Sequence, residues 1–369
     1  MHTIPQNRIR PLAARKPIGV ALQGGGSWGA YTWGVLDAVL ASRSVTVTQL
    51  SGTSAGAINA AIVAAALANG SAAQARKALR SFWLSIANPA AADVVRSLWG
   101  PLERHWRNSF NDWLLASGVM WRYGAAQIAI EPLRAAIAAH VDIDAIRAAQ
   151  APALFVTVTN VRTGLPRVIS NDAISIDALL ASACLPDVFP AVEIDGEHYW
   201  DGGYAGNPTL WPMIHSGAAE DIVIVQLAPD RVDEVPNDAL SIRRRAGEIV
   251  FHSSLVAEMQ AIHAMRGLAD SCHAPARVAE LRFHRIGPPR AELFDQGNGI
   301  ERARAWLQLL HAEGLTAGRR FITRHGVDIG VRETLDVASV FIDAHKPRIS
   351  VSANDATHES GTTATPRAA

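Results

Sequence analysis

From Lys16 onward, apolar residues cluster in short unbroken blocks rather than in strict alternation. Residues 17–23 (Pro-Ile-Gly-Val-Ala-Leu-Gln) and 222–227 (Ile-Val-Ile-Val-Gln-Leu) are apolar almost throughout. A strand buried on both faces has that pattern, whereas a strand with one wet face alternates. The β-branched run 45–51 predicts another strand, and shorter ones fit at 154–159 and 167–170. Helical periodicity fills the gaps at 30–40 and over the strongly apolar 55–68, where Asn69-Gly70 reads as a left-handed C-cap. Short strands alternating with helices predict an α/β fold with a mostly parallel central sheet covered on both faces. Residues 71–138 read as a mainly helical insertion, 239–270 as a long helix, 278–287 as a late strand and 301–325 as a late helix. No internal repeat is visible.

Composition narrows the function. The chain has 369 residues, 49% of them hydrophobic, enough for a large core. Its 34 basic and 34 acidic side chains cancel, so the broad basic field that captures nucleic acid is missing. The compact run Arg243-Arg244-Arg245 reads as a solvated helix face. Two cysteines, Cys184 and Cys272, are too few for a disulfide framework, and Cys184 reads as a packed core thiol in an apolar small-residue run. No signal-peptide h-region follows the polar segment 1–16, and the longest apolar run, 60–68, is too short to span a bilayer. A cytoplasmic protein is the default reading. From Pro347 the chain turns to Ser, Thr, Ala, Asn and Pro, which predicts a disordered tail over 347–369.

Three short motifs carry candidate chemistry. Gly52-Thr53-Ser54-Ala55-Gly56 is a G-x-S-x-G between a predicted strand and a predicted helix. A serine on such a turn projects its Oγ above the sheet, its backbone is strained, and its neighbours must be small. The competing reading is an ordinary small-residue turn. Gly24-Gly25-Gly26-Ser27-Trp28-Gly29 also fits the dinucleotide fingerprint G-x-G-x-x-G. That fold needs an acid at the end of the second strand for the ribose; here the strand ends Leu50-Ser51-Gly52, and Asp37 comes too early. An oxyanion hole suits the loop better, because bare backbone N–H groups aimed at a developing negative oxygen each contribute about 10²–10³-fold in rate. The third motif is Trp200-Asp201-Gly202-Gly203-Tyr204, where the alternative is a plain Asp-Gly hairpin turn. A serine nucleophile needs a proton acceptor; the chain has 13 histidines, but His198, His215 and His252 sit in no distinctive loop and read as surface or capping residues.

Taken together and in this order, the motifs resemble the patatin-like phospholipase family. The glycine loop matches over 24–29, the elbow over 52–56 and the acid motif over Asp201, Gly202 and Gly203. Supporting pieces are Thr157-Val158-Thr159-Asn160 with Gly164, Ala181-Ser182 with Pro186, Phe189-Pro190 and Asn207-Pro208. The resemblance covers roughly residues 16–230 and implies a three-layer α/β/α fold. It implies a Ser54–Asp201 dyad without a catalytic histidine, an oxyanion hole from the N–H groups of Gly24, Gly25, Gly26, Ser27 and Ala55, and no metal or cofactor. It also implies an acyl-enzyme intermediate on a lipid ester. One departure is Trp28, at a loop position where many members carry a basic residue that could meet a phosphate headgroup.

The predicted organisation is an N-terminal arm over 1–15, a catalytic domain over 16–230 holding the Trp-rich insertion 71–138, a helical extension over 231–346, and the tail. In the insertion, Trp99, Trp106 and Trp113 recur every seven residues with Leu98, Leu102, Phe110 and Leu114 on the same face. That stripe gives either an amphipathic helix packed on the core or a lid or bilayer-interface face of a lipid hydrolase. A catalytically silent scaffold remains the contrasting reading, although a scaffold has no physical need for Ser54, Asp201 and the glycine loop together.

Overall fold

The computed structural model describes residues 14–87, 125–186, 189–269, 276–294, 299 and 301–343. The stripe from Trp99 to Trp113, Cys272 and the tail from 347 lie outside the described residues.

An eight-stranded sheet organises the chain. Its strands are β1 (Lys16–Leu22), β2 (Val45–Gly52), β3 (Ala153–Asn160), β4 (Pro166–Ser170), β5 (Val192–Ile194), β6 (Glu197–Asp201), β7 (Asp221–Val225) and β8 (Arg282–Ile286). Neighbours run β5-β6-β3-β2-β1-β7-β8, with β4 also paired to β3. The stretch from β3 through β2, β1 and β7 to β8 is parallel, while β4 and β6 pair antiparallel with β3. The helices are α1 (Gly29–Ala41), α2 (Ala55–Asn69), α3 (Ala72–Ser85), α4 (Ala125–His140), α5 (Ile143–Arg147), α6 (Ile176–Ser182), α7 (Trp211–Ser216), α8 (Ala239–Ala269), α9 (Ala276–Glu280), α10 (Ala291–Phe294) and α11 (Arg304–His325).

Period-two alternation sorts the buried strand residues between two cores. Ile18, Val20, Leu22, Val223 and Val225 join α1, α2, α3 and α11 on one face. Ala21, Ile222 and Ile224 join Met213 of α7, and Leu255, Met259 and Ile262 of α8, on the other. Both faces being covered is why these strands read as solid apolar blocks. The layers are therefore α/β/α. The C-terminal stretch 231–346 is not helical alone: it supplies β8, an edge strand of the same sheet.

Several local expectations change. Gly70, after α2, has φ −159°, not a left-handed value. The chain turns straight into α3, whose capping box joins Ser71 to Gln74, and a Cβ on Gly70 would meet the Gln74 side chain. The late strand is shorter than predicted, because Ala276–Glu280 is helical. The β5–β6 hairpin was not predicted. Its signal was present: Asp195-Gly196, both at positive φ (54° and 78°), is the two-residue turn that suits antiparallel strands.

That hairpin sets the site. Phe155 and Val156 of β3 are paired along one edge by β4. The opposite edge is taken first by β2, up to the Gly52–Val156 pair, and then by β6, which sets Asp201 against Val158. Strand β6 thus arrives where β2 leaves the sheet at the serine turn.

Candidate active site

Ser54 caps the N-terminus of α2 with φ 56° and ψ −128°, a conformation that costs an L-residue energy and persists only when its surroundings enforce it. The enforcement is visible. The Ser54 N–H donates to the Ser182 hydroxyl at 2.9 Å, and that hydroxyl donates to the Thr157 carbonyl at 2.8 Å. The Thr53 hydroxyl donates to the Gly206 carbonyl at 2.7 Å. Strand β1 passes so close that a Cβ on Gly56 would stand 2.3 Å from the Leu22 carbonyl oxygen. Sequence reasoning used Ser182 only as supporting resemblance; nothing local marked it as the residue that holds the nucleophile's backbone.

Asp201 is fully buried. Its main chain is tied on both sides: the N–H donates to the Cys184 carbonyl at 2.9 Å, and the carbonyl accepts from Thr159 Oγ1 at 2.8 Å. The carboxylate oxygen Oδ1 accepts the Gly203 N–H at 2.7 Å. The other oxygen, Oδ2, is buried without a hydrogen-bond partner in bonding geometry. Burial pushes the carboxyl up to about 7, offset only in part by the Gly203 N–H and the neighbouring Ser54 hydroxyl. The Ser54 hydroxyl lowers that carboxyl's pKa, yet Oδ2 itself has no hydrogen-bond partner. Asp201 ends its strand and enters a 3-10 turn over Gly202–Tyr204, so it is not the hairpin turn that the local sequence also allowed.

The glycine loop lies beside the elbow: a Cβ on Gly24 would stand 2.7 Å from the Ser54 Cβ. Its predicted donors divide into two groups. Gly24 N–H is bound to Asn207 Oδ1 at 2.6 Å, and Ser27 N–H to the Gly299 carbonyl at 2.8 Å, so neither is free to hold an oxyanion in this state. The N–H groups of Gly25, Gly26 and Ala55 have no acceptor among the described residues. Trp28 is a packing residue, buried against Phe294 (ring centroids 4.4 Å apart) and edge-on to Trp306. Gly29 lets α1 approach α2: a Cβ there would stand 2.7 Å from that of Ala55.

The three histidines weighed from the sequence lie elsewhere. His215 Nδ1 pairs with the Trp211 carbonyl, His198 lies near Glu193 on the surface, and His252 meets Gln23 Nε2 at 3.3 Å. His252 is mostly buried rather than exposed, and burial lowers its pKa. None of them bonds Ser54 among the described residues. Cys184 is the packed thiol expected, with Sγ donating to the Pro190 carbonyl and burial pushing it up to about 12. A surface cleft of about 590 Å³ between α4 and β5, lined in part by Glu131, Arg134 and Asp177, contains neither Ser54 nor Asp201. Its Arg134 is paired with Asp177, so it offers no free cation.

A strained serine at the exit of a parallel strand and a buried carboxylate that ends a neighbouring hairpin strand stand in one α/β sheet. The family model "Patatin-like phospholipase" matches residues 20–214, more than half of the chain, and the chain belongs to that family. Membership makes it, in general terms, a lipid hydrolase. Among solved structures, the chain is similar to VipD from Legionella pneumophila, at 14% identity and TM-score 0.42 over 86% of this chain and 67% of that one. No curated protein matches the chain. Among the described residues, no helix is long and apolar enough to cross a membrane, and no cluster of His, Cys, Asp or Glu is arranged to hold a metal ion.

Proposed function

We propose that the protein cleaves carboxylic esters of lipids, phospholipids or lysophospholipids among them, through a Ser54–Asp201 dyad. The observation that carries this reading is the buried, unpartnered Oδ2 of Asp201 beside a serine held at φ 56°. In the proposed cycle the Ser54 Oγ attacks the acyl carbonyl carbon while its proton passes to Asp201. The carbonyl π electrons become an oxyanion, held by the free N–H groups of Gly25, Gly26 and Ala55 with the N-terminal end of α2 behind them. The intermediate collapses, the ester C–O bond breaks, and Asp201 returns the proton to the departing alcohol. Water then repeats the sequence: Asp201 takes its proton, the acid is released, and the proton goes back to Ser54. A base raised to about 7 suits this exchange, since it can both accept and return a proton near neutrality.

Residues 16–230 carry the reacting groups in this reading, and 231–346 complete the sheet and brace the glycine loop. With Trp28 packed inward, the loop presents no cation to a phosphate headgroup, which favours broad acyl-ester hydrolysis over strict headgroup recognition. The dinucleotide reading of 24–29 finds no support, because the end of β2 is Ser51-Gly52 and carries no acid. The deciding experiment combines fluorophosphonate labelling with turnover of a short-chain p-nitrophenyl ester, run on the protein and on Ser54→Ala. Both signals should vanish in the variant. A wild-type protein inert to probe and ester, with liposomes or detergent present, would favour the silent scaffold instead.

A further inference from the structure

The glycine loop can serve only if it stays in place. Gly299 and the packing of Trp28 hold its later half, and one side chain holds its start. Asn207 is fully buried, six residues after the proposed base. Its Oδ1 accepts the Gly24 N–H at 2.6 Å, and its Nδ2 donates to the Gly24 carbonyl at 3.4 Å and to the Phe251 carbonyl of α8 at 2.9 Å. Its main chain adds two more ties: the N–H to Ser254 Oγ of α8 at 2.9 Å, and the carbonyl to Gln23 Nε2 at 3.3 Å. The amide orientation is fixed by chemistry, since one end faces an N–H and the other faces two carbonyls. A few residues on, Glu258 of α8 takes the N–H groups of Leu210 and Trp211 at 2.8 and 3.1 Å, so α8 holds this connection firmly.

We infer that Asn207 is a positioning residue: its carboxamide clamps both polar groups of Gly24 to α8 and thereby sets where the Gly25 and Gly26 N–H groups point. Asn207 touches neither reacting group. It uses up the Gly24 donor and leaves its two neighbours free for the oxyanion. The inference rests on the Ser54–Asp201 reading of the site.

The test uses the full-length protein and three variants, Asn207→Ala, Asn207→Asp and Ser54→Ala, assayed for kcat and KM on the same p-nitrophenyl ester with thermal melts alongside. Misplacing donors by an ångström costs about 10²-fold in rate. Asn207→Ala should therefore lose about that factor in kcat with KM within about threefold, and keep the acid limb of the wild-type pH profile, because Asp201 is untouched. Asn207→Asp has the same shape, but when ionised it faces the carbonyls of Gly24 and Phe251; protonation restores one donor. Its kcat relative to wild type, a ratio that cancels the titration of Asp201, should rise about tenfold between about pH 8 and about pH 6. A kcat for Asn207→Ala within about threefold of wild type would overturn the inference, as would a flat ratio for a folded Asn207→Asp. Loss of the folded state in both variants would also overturn it, by showing a role in stability alone. Retained activity in Ser54→Ala would instead remove the dyad reading, independently of Asn207.

Discussion

Two carboxylates are buried in the same sheet and treated in opposite ways. Asp201 ends β6 and Asp221 begins β7; they are 0% and 3% exposed. Asp221 is saturated: Arg282 contacts both its oxygens at 2.8–3.2 Å, His284 Nε2 lies 3.0 Å away, and the Gly330 N–H donates at 2.8 Å. Burial would push its carboxyl up, but hydrogen bonds from His284, Arg282 and Gly330 overturn that and hold it at about 2. Asp201 has one N–H and the nearby serine, and it rises to about 7. Burial is common to both, so partners decide. A carboxylate that only braces the fold has its lone pairs filled. One that must accept a proton keeps a vacancy, and in the proposed dyad the proton that fills it comes from Ser54.

Removing each acid should therefore break different things, and the largest effect falls on Asp201. In Asp201→Asn one amide oxygen can still accept the Gly203 N–H, but no proton acceptor remains. Turnover should fall about 10⁴-fold, as when a catalytic triad loses a member, while the protein melts no lower than wild type. A kcat within tenfold of wild type would return the histidines to consideration. Asp221→Asn should do the reverse. It leaves His284 facing an uncharged partner and Arg282 with the Glu220 carboxylate alone, so chemical denaturation should show a loss below about 3–5 kcal/mol, the cost of a fully broken buried pair. Activity of the folded fraction should stay near wild type, since Asp221 lies at the opposite end of the strands from Ser54.

Acidity sharpens the contrast, with effects of about tenfold per pH unit. Asp201 binds its proton more tightly folded than unfolded. Its contribution to stability is complete below the ordinary carboxylate range and is lost as pH rises through about 7. Asp221 binds its proton less tightly when folded; its contribution is complete above that range and is lost as pH falls to about 2. In the proposed dyad catalysis needs Asp201 ionised, so kcat/KM should fall on the acid side with a limb near 7. Denaturation across pH should show the neutral-side decline disappear in Asp201→Asn and the acid-side decline in Asp221→Asn. An acid limb that moves in Asp221→Asn would show that the two sites are coupled.

The same contrast separates what the sequence made legible from what it hid. Among the parallel strands β1 and β7 announced themselves most plainly, because burial on both faces writes a nearly continuous apolar block, as in residues 222–225; β2 showed through its β-branched residues, and β8, Arg282–Ile286, only as a late strand with loose bounds. The serine turn and glycine loop were legible because close backbone approach excludes side chains, and glycine is the residue that leaves that trace. Antiparallel β5 and β6 were missed: they are short, half-polar and identified chiefly by Asp195-Gly196. The partners were invisible for a different reason. Ser182 and Asn207 lie 128 and 183 residues from the groups that they hold, and a serine or asparagine carries no local mark of a tertiary bond. Nor could spacing reveal that the Ser27 N–H is occupied, since Gly299 reaches it from the far end of the chain.

Ser182 allows the smallest test, between the vacancy at Asp201 and the saturation at Asp221. Its hydroxyl accepts from Ser54 and donates to Thr157, so it supports the strained turn without touching substrate. In Ser182→Ala the Ser54 N–H loses its acceptor in a site that water cannot readily enter, because Ser182 is fully buried. Such an unsatisfied donor costs about 1–3 kcal/mol. The turn can lessen that cost by relaxing φ away from 56°, which moves the Ser54 hydroxyl off the line to Asp201. Stability and activity should then trade against each other: a loss near 1 kcal/mol accompanied by a kcat about tenfold lower if the turn relaxes, or a larger stability loss with near-normal kcat if it does not. Ser182→Cys, whose thiol is a weaker acceptor of similar shape, should fall between alanine and wild type on whichever axis moves. If Ser182→Ala changes neither melting nor turnover, the strain at Ser54 is maintained by the close-packed glycines alone, and the hydroxyl is incidental to the site.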